Sequence, residues 1–302
     1  MNSSLFFTSG STGKPKPATH SFTSHTQEVK ALARLFRSNK RIVSFVPRHH
    51  IYGFLFSILL PKALGVEVRW EAPLPTPGLI KPLKDDDLII AFPLLWRKIA
   101  EMKVPFIKDI NGVTSTGPCP AEIIDELKSN GLKLMYEIYG SSETGDVGFR
   151  NDHKNGYTLL RHWEKTDQNS QLKRKNATGE HMEYSLQDII DWHDETTFTP
   201  KRRTDNAIQI AGVNVYPSRV MKILATHPDI VDCAVRIMQP NEGTRLKAFI
   251  VPATGRKKTS QLESSIRKWA KERLSPNEMP TSWTFGHKVP VNELGKQADW
   301  RA

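Results

Sequence analysis

The chain has only two cysteines in 302 residues, Cys119 and Cys233. So far apart, they form neither a disulfide framework nor a paired metal or redox motif, which fits a reducing compartment. Long apolar runs are missing too. The longest, 51–60, is too short to span a bilayer, so no membrane span is expected. The opening Met1-Asn2-Ser3-Ser4 lacks the charged start of an export signal, and a cytoplasmic location is the expectation. No internal repeat or extended low-complexity tract is present. Acidic side chains are in deficit: 32 Asp and Glu against 43 Lys and Arg leave a net charge of +11. Nucleic acid is one partner that such an excess attracts. The basic residues, however, scatter in short clusters such as Lys173-Arg174-Lys175, Lys201-Arg202-Arg203 and Arg256-Lys257-Lys258, without aromatic interleaving or a DNA-binding motif. Nucleic acid is therefore kept only as an alternative of another class.

What the chain does have is a globular composition, 38% hydrophobic with seven Trp and thirteen Phe. Its length supports one large domain or two. Strand patterns over 41–46, 67–70, 88–91, 112–116 and 135–139 alternate with helical spacing over 23–36, 54–64, 93–101 and 121–130. That alternation predicts a layered α/β core. The polar stretch 164–176 reads as an exposed loop. From about residue 205 a second grouping begins, with strands at 208–210, 213–215, 231–237 and 247–251 and helices after Pro217 and over 261–273. It predicts a small α+β domain, giving boundaries of 1–203 and 204–302.

Chemistry concentrates in a few short motifs. Thr8-Ser9-Gly10-Ser11-Thr12-Gly13-Lys14-Pro15-Lys16 follows Leu5-Phe6-Phe7, read as a short buried strand. Its glycines let the backbone turn its N–H groups inward, and its hydroxyls and lysines add donors and positive charge. Phosphate oxygens, and ATP above all, suit such a loop. It is not a Walker A loop, because Gly10 and Gly13 are too close and Pro15 follows Lys14. Downstream come Pro47-Arg48-His49-His50-Ile51-Tyr52-Gly53, then Ser115-Thr116-Gly117-Pro118, then Tyr139-Gly140-Ser141-Ser142-Glu143-Thr144-Gly145. The Tyr139 ring suits stacking on adenine, and the Glu143 carboxylate suits Mg²⁺ held between phosphates. The same residues also fit a plain core strand running into a helix whose first turn carries Glu143. Two last segments are 201–217, from Lys201 to Pro217, and Pro290-Val291-Asn292-Glu293-Leu294-Gly295-Lys296.

In this order the motifs resemble those of the acyl-adenylating superfamily of acyl- and aryl-CoA ligases, nonribosomal adenylation domains and firefly luciferase. The resemblance implies that the Thr8, Ser9, Gly10, Ser11, Thr12, Gly13 and Lys16 loop grips phosphates and that His50 lies beside the carboxylate. Gly117 would floor the adenine and acyl pockets, and Tyr139, Gly140 and Ser142 would line the nucleotide site. Glu143 would hold Mg²⁺, Asp188 the ribose hydroxyls, and Arg203 the nucleotide. Asp205 would be a hinge and Lys296 the adenylation lysine. For the ribose carboxylate, Asp188 is preferred to Glu180, which follows Thr178-Gly179 but stands too far from Arg203. Arg202, Asn206 and Gln209 replace the usual Gly, Asp and Lys of the hinge segment, and Ser142 replaces the usual Thr of its own motif.

The activity so implied is ATP-dependent adenylation of a small carboxylic acid, of the aromatic kind that His50, Tyr52, Phe54 and Ser115 to Gly117 suit. Transfer to a thiol follows, on coenzyme A or on the phosphopantetheine arm of an acyl carrier protein. The positive charge favours an acidic carrier protein. Members of the superfamily carry a further region ahead of the phosphate loop, so a minimal form, part of a split enzyme, or a catalytically weak nucleotide-binding remnant is also expected from the resemblance.

Overall fold

The protein is described by a computed structural model over residues 3–8, 16–71, 75–80, 82–203, 207–211, 213–239, 241–253, 260–290 and 299–300. Ser9, Gly10, Ser11, Thr12, Gly13, Asp205 and Lys296 lie outside the described residues, and of Thr8 and Lys16 only the backbone is described. The chain divides into two compact units that part near residue 204.

In the large unit β1 (Ser3–Thr8) and β2 (Lys16–Ser21) pair antiparallel, with Thr8 opposite Lys16. The strand before the phosphate loop is thus one arm of a separate two-stranded hairpin, not a strand of the main sheet. Nor is it buried throughout, because strand alternation sends neighbours to opposite faces. Phe6 is 6% exposed, whereas Leu5 and Phe7 are 54% and 61% exposed.

Helix α1 (Phe22–Leu35) starts at Ser21, whose hydroxyl accepts from the Ser24 N–H at 3.1 Å. After β3 (Arg41–Ser44) comes one helical run, 51–64, in which α2 (Ile51–Phe54) and α3 (Leu60–Leu64) flank a π turn, Leu55–Leu59. Then follow β4 (Glu67–Trp70), α4 (Pro77–Ile80), β5 (Asp87–Ala91), α5 (Pro93–Glu101), β6 (Asn111–Thr114), α6 (Ala121–Ser129) and β7 (Leu134–Ser141). The chain continues through β8 (Gly145–Arg150) and β9 (Tyr157–Leu159). Next, β10 (Glu164–Lys165), β11 (Gln171–Lys175) and β12 (His181–Ser185) make a small antiparallel sheet, before β13 (Asp188–Trp192) and β14 (Thr197–Arg203) rejoin the large one.

The large sheet has the order β13-β14-β9-β8-β7-β6-β5-β3-β4. From β4 to β7 every pairing is parallel, and beyond β7 every pairing is antiparallel. Apolar residues on successive positions of the parallel strands face opposite layers. Val43 and Ile89 pack with Trp96, Ile99, Ile123 and Leu127 of α5 and α6. Ile42, Leu88 and Ile90 pack with Leu32 and Phe36 on one helix and Leu55, Phe56 and Leu60 on the 51–64 run. Two helical layers thus cover the parallel strands, the layered α/β core that the alternation predicts.

The stretch 164–176 is not the exposed loop its polarity suggests. It contains β11, whose Leu172 and Arg174 are buried while Lys173 and Lys175 alternate to the other side.

The small unit is the α+β fold expected. A hairpin of β15 (Ile208–Ile210) and β16 (Val213–Val215) leads to α7 (Pro217–Leu224), β17 (Ile230–Ile237), β18 (Leu246–Pro252), α8 (Ser260–Lys271) and β19 (Ser282–Phe285). β17 and β18 pair antiparallel, and β19, which the sequence pattern did not reveal, adds parallel to β18. Val220 and Leu224 of α7 and Ile266 and Ala270 of α8 close over Val235, Leu246, Ala248 and Ile250. Among the described residues no helix is long and apolar enough to cross a membrane.

Candidate active site

In open α/β sheets ligands settle at the carboxyl ends of the parallel strands. There β3 runs into the segment carrying His50, β6 into Ser115 to Gly117, and β7 into Tyr139 to Ser141. The Ser115 hydroxyl donates to the Ile138 carbonyl at 3.1 Å, fastening the exit of β6 to the residue before Tyr139. Thr116 stands in the left-handed region at φ 74°, and its buried hydroxyl has no hydrogen-bond partner among the described residues. A non-glycine residue held in that conformation marks a constrained turn.

Three of the expected nucleotide residues come together from separate stretches of chain. The Tyr139 hydroxyl donates to Asp188 Oδ2 at 2.7 Å, and Asp188 and Arg203 are Cα partners across β13 and β14. Tyr139 lies edge-on to Phe198, centroids 5.4 Å apart, and tilted against Tyr157 at 5.7 Å. Burial, reinforced by the Asp188 charge, pushes its phenol well up, with Arg203 pulling the other way. The phenol therefore stays protonated and keeps donating. Asp188 retains a second oxygen with acceptor capacity beside an aromatic ring, which suits a sugar diol next to a base.

Glu143 does not begin a helix. It tips a three-residue turn between β7 and β8, with Ser141 opposite Gly145, and it is solvent-exposed. The Thr144 N–H donates to the Ser141 hydroxyl at 3.2 Å, and the Ser141 N–H donates to the Thr144 hydroxyl at 3.2 Å, closing the turn. Gly140 is dictated by this crossing, since a Cβ there would stand 2.2 Å from the Gly145 carbonyl oxygen. Among the described residues no group of three or more His, Cys, Asp or Glu could hold a metal ion. Mg²⁺ in phosphoryl chemistry needs only one or two carboxylates, with substrate phosphates and water completing the shell. One exposed carboxylate at a turn fits a metal that arrives with its nucleotide.

His50 is exposed at the head of the 51–64 helix. Partial desolvation, with the neighbouring His49 charge, holds its pKa below the ordinary value, so the ring is neutral at pH 7. Tyr52 and Phe54, read with it from the sequence, make contacts of their own. The buried Tyr52 hydroxyl shares its proton between the Ala91 and Val113 carbonyls at 3.1 and 3.0 Å, bracing β5 and β6. Phe54 packs against Phe6 and His25. At Gly53 a Cβ would stand 2.0 Å from the Pro47 carbonyl oxygen, so glycine lets the helix approach the preceding loop.

Residues 2–181 match the AMP-binding enzyme family, and residues 221–296 match the AMP-binding enzyme C-terminal domain. The chain belongs to the AMP-binding enzyme family. It is 37% identical to a 4-coumarate–CoA ligase of Halorhodospira halophila, over 96% of this chain and 74% of that protein. A 4-coumarate–CoA ligase of Cereibacter sphaeroides is 35% identical over 98% of this chain and 70% of its own length. In three dimensions an amide bond synthetase from Marinactinospora thermotolerans aligns with a TM-score of 0.77 at 19% identity, over 97% of this chain and 67% of that one. At that identity the likeness is one of fold. This AMP-binding enzyme is an acid–thiol ligase.

Beneath the Glu143 turn this AMP-binding enzyme buries a group of charges that its sequence did not announce. Glu28 sits against Gly145, where a Cβ would meet its Oε1 at 1.9 Å, and Gly145 is left-handed at φ 74°. Arg174 donates to Glu28 Oε1 at 3.2 Å and stacks over Trp163 and Tyr184. Asp146, His20, His25 and His162 surround the pair. Burial first, and the Glu28 charge second, raise Asp146 well above its ordinary value and so favour the protonated carboxyl in the fold. A carboxyl raised on folding stabilises only below its unfolded value, here 3.8, and that contribution is lost as pH rises. Asp146→Asn keeps the shape and removes the titration, so it should raise the melting temperature near pH 8 and leave it little changed near pH 4. Calorimetry at the two pH values checks this, and a lower Tm near pH 8 would contradict it.

Proposed function

We propose that this enzyme activates a small aromatic carboxylic acid with ATP and passes the acyl group to the thiol of coenzyme A. The observation that carries the reading is the convergence of Tyr139, Asp188 and Arg203 at the carboxyl edge of the sheet, joined by the 2.7 Å hydrogen bond. Support for an aromatic acid and for coenzyme A comes from the two relatives named for 4-coumarate and CoA.

In the first step a carboxylate oxygen attacks the α-phosphorus, the bond to the β-phosphate oxygen breaks, and pyrophosphate leaves. In the second the thiol sulfur attacks the acyl carbon, AMP departs with the carboxyl oxygen, and the thiol proton passes to solvent. Two anions must first be brought together, so charge neutralisation and in-line placement dominate the barrier. Tyr139 stacks on adenine over a floor that includes Gly117, Gly140 and Ser142, Asp188 accepts from the ribose hydroxyls, and Arg203 pairs with the nucleotide. Thr8, Ser9, Gly10, Ser11, Thr12, Gly13 and Lys16 hold the leaving phosphates. Glu143 holds Mg²⁺, which neutralises phosphate charge when bound. Neutral His50 stands beside the carboxylate, and Lys296 supplies positive charge to the reacting oxygens. We assign 1–203 as the ATP- and acyl-binding domain and 204–302 as a mobile domain turning at Asp205.

A carboxylic-acid panel in a pyrophosphate-exchange assay tests this, followed by thioester trapping on coenzyme A and on a phosphopantetheinylated carrier protein. Aryl acids should support exchange best, and coenzyme A should trap the product. The net charge of +11 favours the acidic carrier as the second acceptor. Exchange that is independent of any added acid would sink the proposal. In the same assay Asp188→Ala should raise the KM for ATP about tenfold while sparing the KM for the acid.

A further inference from the structure

Among the described residues, one side chain from outside the hairpin is hydrogen-bonded to the backbone of the Glu143 turn. The His20 imidazole Nε2 lies 2.7 Å from the Ser142 carbonyl oxygen, across 122 residues of sequence. A carbonyl can only accept, so Nε2 carries the proton and donates. Buried at 2% exposure, His20 stacks on His25 with centroids 5.5 Å apart, and Phe6 meets its edge at 5.9 Å. The ring therefore has little freedom to turn. Its other nitrogen, Nδ1, is buried without a hydrogen-bond partner among the described residues. Among the described residues the bond to Ser142 is thus the ring's one hydrogen bond. His20 also stands on β2, the strand that leaves the 8–16 loop directly, opposite Ser4 of β1. One hydrogen bond thereby ties the hairpin of the phosphate loop to the turn that carries the metal carboxylate.

We propose that His20 is a positioning residue that fixes the 142–144 turn against β2, and so holds the Glu143 carboxylate where it meets the metal of a bound nucleotide. The inference rests on the metal role given to Glu143 above. His20 touches neither nucleotide nor metal and acts through the Ser142 carbonyl. Facing it are His25 and Glu28 on α1, Arg174 on β11 and the backbone of the turn. Burial lowers its pKa, with the Ser142 bond and Glu28 opposing, and this keeps the neutral Nε2–H form in place near pH 7.

The test is a double-mutant cycle read in pyrophosphate exchange as the KM for Mg·ATP and the Mg²⁺ dependence. His20→Ala should raise the KM for Mg·ATP about tenfold with the KM for the acid unchanged. In His20→Gln the side-chain amide can place an N–H near the position of Nε2, so it should return the KM to within about threefold of wild type. In a Glu143→Gln background His20→Ala should add almost nothing, because the turn no longer carries a metal ligand. Equal losses in both backgrounds, or no recovery in His20→Gln, would overturn the positioning role while leaving Glu143 its metal. A Glu143→Gln variant with wild-type Mg²⁺ dependence would instead overturn the metal assignment on which the inference stands. The Gln variant keeps the test decisive should His20→Ala unfold, since it preserves a polar, hydrogen-bonding side chain in the same space.

Discussion

Lys296→Ala is expected to abolish carboxylate-dependent pyrophosphate exchange and to leave ATP binding within about threefold of wild type. The asymmetry follows from where the groups lie. Tyr139, Gly140, Asp188 and Arg203, to which adenine and ribose binding is assigned, all belong to the large unit, whereas Lys296 belongs to the small one. The lysine charge is worth most when a carboxylate oxygen and an α-phosphate oxygen approach each other, a configuration that exists only on the way to the adenylate. Deleting one preorganised charge of this kind costs about 10²- to 10³-fold in kcat. Arginine is not an equivalent replacement, since its planar fork cannot present a compact point charge from a glycine turn. Nucleotide binding by calorimetry alongside the exchange assay separates the two effects. Unchanged exchange in Lys296→Ala would remove the lysine from the chemistry, and loss of ATP binding would make it a nucleotide ligand instead.

Glu28→Ala should cost the large unit several kcal/mol of stability. Glu28 is fully buried and Arg174 is 2% exposed, so the deletion strands a guanidinium in the core. Breaking a buried pair from one side costs about 3–5 kcal/mol. Trp163 and Tyr184, whose ring faces lie 4.5 and 4.8 Å from the guanidinium carbon, keep the loss toward the lower end. The double replacement Glu28→Leu with Arg174→Met should recover most of it, because two apolar side chains need no partner. Urea unfolding of the single and double variants checks this, and equal destabilisation in both would show that packing rather than charge was lost.

How much of this could be read from the sequence depended on range. The parallel half of the sheet was legible because its strands are continuous apolar runs, such as Leu88-Ile89-Ile90-Ala91, set between amphipathic helices. The antiparallel half was not. Its strands, among them Gly145–Arg150 and Gln171–Lys175, mix glycine and charge, and their inward faces emerge only once the pairing is known. Asp188 was singled out by the resemblance through its spacing upstream of Arg203, and what the sequence did not show is that the two face each other as Cα partners of β13 and β14. Arg174, within Lys173-Arg174-Lys175, read as solvated surface because its counter-charge Glu28 stands 146 residues away. His20 escaped notice for the same reason, since its partner is a backbone carbonyl on a distant turn.

The change of strand direction at β7 also bears on how the site comes into being. On the antiparallel side, β7 with β8 and β13 with β14 are hairpins that can zip from their own short turns, whereas each parallel pairing waits for a crossover to close a longer loop. Tyr139 sits on the shared strand, and its hydrogen bond to Asp188 forms only once β13 and β14 have docked beside β9. The corner of Tyr139, Asp188 and Arg203, to which we assign adenine and ribose, is therefore completed after the local hairpins exist, and on that assignment the appearance of nucleotide affinity during refolding is a clock for the last assembly step of the large unit.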